Sequence, residues 1–373
     1  MSADFLARLL QGPLNLTWQT LVMLAVAGAL FYLAIVRDYE PLLLLPIAAG
    51  CMLANLPLSP MLGEEGMLSV LYAAGIENEL FPLLIFIGIG ALTDFGPLLE
   101  NPRMVLLGAA GQFGIFATLL LALVFGFTRE EAASIGIIGA IDGPTSIYVS
   151  GILAPHLLGP ITVAAYSYMA LVPVIMPPII RLLTTRRERA IRMPYSQRAI
   201  SRRTRVIFPI AATVIVGTLV PFATPLVGAL MLGNLMRESG VVERLTRTSA
   251  NELANIVTLF LGLAVGSTMV GERFLQTSTL LILLLGIVAF GLDTAAGLLF
   301  GKLLNALSGG RFNPIIGAAG ISAFPMAARV VQRVAAEEDF ENFLLFHAMG
   351  ANAAGQIASV VAGGVLLALM GAG

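Results

Sequence analysis

Charged side chains are what this chain most conspicuously lacks. They make up 12% of its 373 residues, about half the share usual in soluble domains. A soluble protein of this length would bury a large core but would still need a charged coat, and this sequence cannot supply one. Cysteine is nearly absent too. Cys51 stands alone in an apolar run, which excludes a disulfide framework, a CxxC redox pair and a zinc set. His156 and His347 are the only histidines, too few for a histidine-based metal centre. There is no GxxxxGKS/T phosphate loop, no haem-attachment motif and no iron–sulfur cysteine set. Energy therefore has to come from an ion gradient or from a partner's chemistry. The N-terminus shows no basic stretch leading to a small-residue cleavage site, so the first apolar segment is expected to stay in the protein.

What is abundant points to a membrane. Hydrophobic residues make up 58% and mean hydropathy is +0.91. Apolar runs follow one another from about residue 17 to 370. A full crossing takes about 20 residues, so the shorter runs read as half-helices or re-entrant segments. The expectation is an all-α polytopic membrane protein of about ten or eleven membrane-inserted helices. Glycine (39) and proline (20) fall within the apolar runs, and where they cluster with polar residues they suggest broken helices lining a cavity. The longest polar interruption, residues 181–205, holds nine arginines and one glutamate. A short basic loop between spans reads as cytoplasmic by the positive-inside rule, not as a nucleic-acid patch. Its expected setting is a bacterial inner membrane.

That loop separates two similar halves. PIAAGCMLANL (46–56) parallels PLVGALMLGNL (225–235), aligning Asn55 with Asn234. LLIFIGIGALTDFGPLL (83–99) parallels VTLFLGLAVGSTMVGERFL (257–275) through Phe86 and Phe260. IIGAIDGP (137–144) parallels IIGAAGIS (315–322), aligning Gly139 with Gly317. Offsets of 179, 174 and 178 residues in unbroken order argue for a duplication. The expected organisation is an N-terminal segment and first span (1–40), a first repeat (41–180), the basic loop (181–205) and a second repeat (206–373). Halves with an odd number of spans have inverted topology and place their site at the midplane, where broken helices meet. The third pair should hold that site.

In that pair, Asp142 follows an apolar stretch and precedes Gly-Pro-Thr-Ser. An ionised carboxylate inside a bilayer costs several kcal/mol unless it pairs or meets water or an ion. The Gly-Pro step breaks the helix and frees carbonyls that can help hold a cation. A plainer role, compatible with the first, is an N-cap beginning a new helix with proline in its first turn. The counterpart, RFNPIIGAAGISAFPMAARVVQ (311–332), carries Asn313, Ser322 and Arg329 among small residues. Its Asn-Pro and Phe-Pro steps again indicate a discontinuous helix. Arg329 could bind a carboxylate in a bidentate fork, or snorkel to the interface beside Arg333. Asp293 is another acid in an apolar run, with Thr294 suggesting local capping. Tyr166 and Tyr168 read either as interfacial anchors or as hydroxyls reaching a cavity. Asn352 and Gln356, at i, i+4, read as helix–helix contacts, and His347 as an interfacial residue.

Several long stretches resemble a known family, the beta subunits of the sodium-pumping, biotin-dependent decarboxylases of oxaloacetate, methylmalonyl-CoA, glutaconyl-CoA or malonate. They are FIGIGALTDFGPLL (86–99), DGPT (142–145), GNLMRESGVVERL (233–245), NELANIVTLFLGLAVG (251–266) and NPIIGAAGISAFPMAARV (313–330). The resemblance implies a membrane subunit that takes carboxybiotin from a partner, decarboxylates it, drives Na⁺ outward and consumes a proton. It implies functional roles for Asp142, Tyr168, Asn313, Gly317, Ser322 and Arg329. Asp142 and Ser322 would handle Na⁺ and the proton, with Asn313 and Gly317 in the ion set. Arg329, with Tyr168, would hold or discharge the carboxyl group. Implied partners are a biotin-carrier protein or domain, a carboxyltransferase alpha subunit, a small one-span gamma or delta subunit and further copies of the chain. Two positions depart from the family's pattern: Ile141, where a small residue is expected, and Ala351, where proline is expected. The competing functions are a stand-alone Na⁺/H⁺ antiporter or sodium–carboxylate symporter, and a purely structural anchor.

Overall fold

A computed structural model describes residues 11–194 and 200–371. Part of the basic loop, 195–199, and the first ten residues of the N-terminal segment lie outside the described residues. The described chain is helical, with no strand. Among the described residues, five helices are long and apolar enough to cross a membrane: α1 (Trp18–Ile35), Met104–Val124, Glu243–Ser267, α17 (Thr277–Leu307) and α19 (Leu345–Leu369). The number rises to seven if each of two bent pairs is one span, and the 105° bend between Pro41–Asn55 and Pro60–Glu77 belongs to one of these. Between them lie α2 (Pro41–Asn55), α3 (Met67–Tyr72), α4 (Leu80–Leu92), α5 (Gly96–Glu100), α6 (Met104–Ala110), α7 (Phe113–Val124), α8 (Arg129–Gly136), α9 (Gly143–Leu153) and α10 (Leu158–Leu183). After the short α11 (Arg186–Arg189) come α12 (Arg202–Leu219), α13 (Thr224–Ser239), α14 (Glu243–Thr248), α15 (Ala254–Ser267), α16 (Gly271–Phe274) and α18 (Met326–Glu338).

Outward-facing apolar side chains are the norm. Val124 and Leu182 are 82% and 83% exposed, as expected where lipid, not water, is the surrounding solvent. With no hydrophobic drive between helices in lipid, association rests on close packing of small residues and on hydrogen bonds. Both appear at α2–α15 and α4–α13. A Cβ on Gly50 would collide with the Leu263 carbonyl, and one on Gly233 with the Ile87 carbonyl. Asn55 then donates to the Met269 carbonyl beyond the end of α15 (2.7 Å), and Asn234 to the Thr93 carbonyl at the end of α4 (3.0 Å). Each contact joins one half of the chain to the other, and exchanging the counterpart segments of the two halves converts one contact into the other.

The basic loop is tied down at its near end. Arg181 pairs with Glu337, Arg189 with Glu338 (2.6 Å), and Arg192 with Asp339 and Glu341. Buried apolar residues form two clusters. The smaller gathers residues of α1, α2, α4 and α15, and the larger gathers α6 to α10 with α17 to α19. A cavity follows their seam, taking Leu43 and Ile85 from the smaller and Ile141 from the larger.

Candidate functional site

A break in the backbone sets the position of Asp142. After α8, a 3₁₀ turn at Ile137–Ala140 ends at Ile141, whose φ of 52° places a β-branched residue in the left-handed region. Such a conformation costs on the order of 1–3 kcal/mol and persists only where its surroundings enforce it. Asp142 follows in extended conformation as the N-cap of α9, its Oδ1 accepting from the Thr145 amide at 3.4 Å, with proline in the first turn. The capping role is therefore real, and it occupies one oxygen. The other, Oδ2, accepts from Ser322 Oγ at 3.1 Å and Ser359 Oγ at 2.9 Å. Asp142 is 6% exposed.

Ser322 reaches Asp142 from the second interrupted segment. Asn313 caps a 3₁₀ stretch, Pro314–Gly320, which ends two residues before Ser322; the Phe324–Pro325 peptide is cis, and α18 starts at Met326. The Ser322 amide donates to the Ala140 carbonyl at 3.2 Å, so backbone as well as side chain joins the two interruptions. Carbonyls freed by the break are satisfied from neighbouring helices. Asn352 donates to Ile321 at 2.6 Å and Gln112 to Gly320 at 3.3 Å, as buried irregular backbone in a membrane requires.

The carboxylate faces a cavity of about 490 Å³. Its polar walls include Asp142, Ser322, Tyr166, Gln356, Thr93 and Glu40, and among the described residues no arginine, lysine or histidine lines it. Tyr166 packs its ring so tightly on Gly143 that a Cβ there would collide with it. Thr93 donates to Gln356 at 3.2 Å. A carboxylate with two hydroxyls is a hard oxygen set, suited to a proton or a small cation. The hydroxyls donate to Oδ2 here; rotated, they would offer lone pairs to a cation.

The structure brings Asp142 and Ser322 together and keeps the other four family-implied residues off the cavity wall. Asn313 is fully buried and its amide is committed elsewhere. It donates to the Arg189 and Ile191 carbonyls (3.0 and 2.8 Å) and accepts from the Ile315 amide at 3.1 Å. Gly317 lies backbone to backbone against Gly297, and a Cβ on either would strike the other's carbonyl. The Tyr168 hydroxyl donates to the Leu283 carbonyl of α17. Arg329 is exposed on α18, its amide one helical turn beyond the carbonyl of Pro325, a wall residue. Arg333 donates to the Pro173 carbonyl at 2.9 Å.

Asp293 is buried completely, and its capping is not local. Its Oδ1 accepts from the Gly114 amide, and the Ile115 amide adds a second bond, so it closes the N-terminus of α7 from another helix. Oδ2 has no hydrogen-bond partner among the described residues and lies against Gly139. Outside the spans, the Arg192 guanidinium holds the Asp339 carboxyl below the usual carboxylate range. Burial pushes Glu131 up, but bonds from Thr128 and His156 outweigh it and leave that carboxyl low as well. Ser359, Thr93 and Glu40 were not singled out from the sequence. Each sits on a different helix from Asp142, at a spacing no local motif records.

Comparison with known proteins gives one answer along the whole chain. A family model described as Na⁺-transporting oxaloacetate decarboxylase beta subunit matches residues 19–370. The chain is 54% identical to the methylmalonyl-CoA decarboxylase subunit beta of Veillonella parvula, over 96% of this chain and 95% of that one. It is 52% identical to the glutaconyl-CoA decarboxylase subunit beta of Acidaminococcus fermentans, over 96% of each. Against the oxaloacetate decarboxylase beta chain 2 of Salmonella typhimurium it is 49% identical, over 93% of this chain and 94% of that one. With nearly full-length agreement on both sides, the chain belongs to the family of Na⁺-transporting oxaloacetate decarboxylase beta subunits.

Proposed function

We propose that this chain decarboxylates carboxybiotin presented by a partner and couples that step to outward Na⁺ transport, with Asp142 as the group where Na⁺ and a proton exchange. The observation that carries the reading is Asp142 Oδ2 held by the Ser322 and Ser359 hydroxyls at the wall of a cavity that no basic side chain lines among the described residues. In the protonated state, Asp142 supplies a proton to the ureido nitrogen of carboxybiotin. The carbamate N–C bond breaks, carbon dioxide leaves, and the Asp142 carboxylate remains as a Na⁺ ligand. A proton arriving from the opposite side of the membrane then displaces Na⁺ and restores the acid. General acid assistance of this kind is worth about 10²–10⁴-fold.

Ser322 and Ser359 complete the ion set, while Asn313 and Gly317 hold the segment that delivers Ser322. Arg329, one turn beyond the cavity wall, handles the carboxyl group with Tyr168 on the neighbouring helix. The duplicated halves have inverted topology, which the interchangeable α2–α15 and α4–α13 contacts support. Residues 181–205 face the cytoplasm of a bacterial inner membrane, and the partners are a biotin carrier, a carboxyltransferase alpha subunit, a one-span subunit and further copies of this chain. The relatives are decarboxylase subunits, which favours this function over a stand-alone transporter.

Reconstituted complex carrying Asp142→Asn, assayed for ²²Na⁺ uptake and decarboxylation, tests the reading. Both should fall together by about a hundredfold or more. Continued Na⁺ uptake driven by decarboxylation would overturn it.

A further inference from the structure

The Asp142 cavity contains a second carboxylate with no assigned role. Glu40 heads α2 and is half-buried on the cavity wall, yet it makes no side-chain capping bond. Its carboxylate has neither an ion pair nor a hydrogen bond among the described residues. Its φ of 38° puts a non-glycine residue in the left-handed region, a conformation that costs about 1–3 kcal/mol and tends to mark functional positions. Tyr166 is within electrostatic reach of both Glu40 and Asp142 and lines the wall with them. Among the described residues that line it the cavity has two carboxylates and no basic side chain, Arg237 and Arg329 standing just outside its wall, and clefts lined by one sign concentrate counter-ions and speed their arrival by about 10–10³-fold.

The cavity's position fixes the side it serves. Leu92 and Thr93, at the end of α4, line it. The Leu92 carbonyl accepts from Arg237 near the end of α13, and Arg202 of the basic loop donates to Ser239 at that same end. The cavity therefore reaches the end of the bundle at which Arg202, from the last part of the basic loop, is bonded.

We infer that Glu40 recruits Na⁺ at the mouth of the Asp142 cavity, drawing it in from the side of the 181–205 loop. The inference rests on the proposed exchange at Asp142. Glu40 does not enter the chemical step: it raises the local Na⁺ concentration, so its loss should change the Na⁺ requirement and not the maximal rate.

The test is the Na⁺ dependence of decarboxylation by the assembled complex. Glu40→Gln should raise half-saturating Na⁺ about three- to tenfold and leave the rate at saturating Na⁺ within about twofold, with Glu40→Asp close to wild type. Asn255, exposed on the same wall, offers an independent lever if Glu40→Gln does not assemble. Asn255→Lys should raise half-saturating Na⁺ and Asn255→Asp lower it. An unchanged Na⁺ requirement in Glu40→Gln, or in Asn255→Lys where only that variant assembles, would overturn the inference. So would a collapse of the rate at saturating Na⁺ in Glu40→Gln. Asp142→Asn, run in parallel, separates the two ideas. If it is inactive while Glu40→Gln behaves as wild type, only the recruiting role falls. If it still pumps, the exchange reading falls first.

Discussion

Asp142 and Asp293 are both buried acids within apolar sequence, and the protein uses them in opposite ways. Asp142 spends one oxygen on capping its own helix and offers the other to hydroxyls on a cavity wall. Asp293 also caps a helix, but from a neighbouring one, and its second oxygen lies against the backbone at Gly139, away from the cavities described. Backbone amides cannot rotate to become acceptors, whereas hydroxyls can. Cation exchange needs both access and rotatable partners, and only Asp142 has them. The default that an intramembrane acid is functional needs that qualification.

The sharpest way to break this comparison is to remove each acid in turn. Asp142→Asn, whose amide oxygen can still cap α9, should abolish Na⁺-coupled decarboxylation, by about a hundredfold or more, while the purified protein keeps most of its thermal stability. Asp293→Ala should do the reverse. Two buried amides lose their acceptor, at about 1–3 kcal/mol each, so yield and unfolding temperature should drop. Activity per folded molecule and half-saturating Na⁺ should stay within about threefold of wild type. Asp293→Asn, whose amide oxygen can still accept, should recover most of that stability. A shifted Na⁺ requirement in Asp293→Asn would show that the two acids are not separate.

Ser359→Ala, which removes one of the two hydroxyls on Asp142, should raise half-saturating Na⁺ about fivefold, the equivalent of about 1 kcal/mol for one hydrogen bond. Asn313→Ala should have a smaller, local effect. Losing its bonds to the Arg189 and Ile191 carbonyls should speed amide hydrogen exchange over 186–192 and 313–317 and, through the loosened segment that carries Ser322, raise half-saturating Na⁺ by less than about threefold. The smallest effect concerns pH. Asp339 is held below its ordinary value of 3.8, first of all by Arg192. Its depressed value means it contributes fully above that ordinary value and is lost as pH falls through the lowered one. Exchange protection around 189–192 should therefore hold from neutral pH to about 4 and fade only below that.

Much of the site could be read along the chain because its two main elements announce themselves locally. An acid before Gly-Pro, and Asn-Pro with Phe-Pro among small residues, mark interruptions wherever they occur in apolar sequence, and Asp142 and Ser322 meet there. The positions that escaped notice are tertiary. Ser359 belongs to a regular helix and differs from any other helical serine only in facing Asp142. Gln356, taken for a helix–helix contact, is one, bonded to Thr93, but it also lines the cavity. Glu40 stands in sequence just before an apolar run, and only the fold puts the start of its helix on the cavity wall. Asp293 was expected to cap locally, and nothing in FGLDTAAG could show that the helix end it closes lies 179 residues upstream.

The pairing of the basic loop also orders events during synthesis. Arg181, Arg189 and Arg192 emerge from the ribosome 156, 149 and 147 residues before Glu337, Glu338 and Asp339. Throughout that interval the acids that hold them in the finished protein do not yet exist. Once the acids arrive, the same guanidinium groups become internal fasteners. The latch between the start of the loop and the end of α18 thus closes late, only after nearly the whole chain has been made.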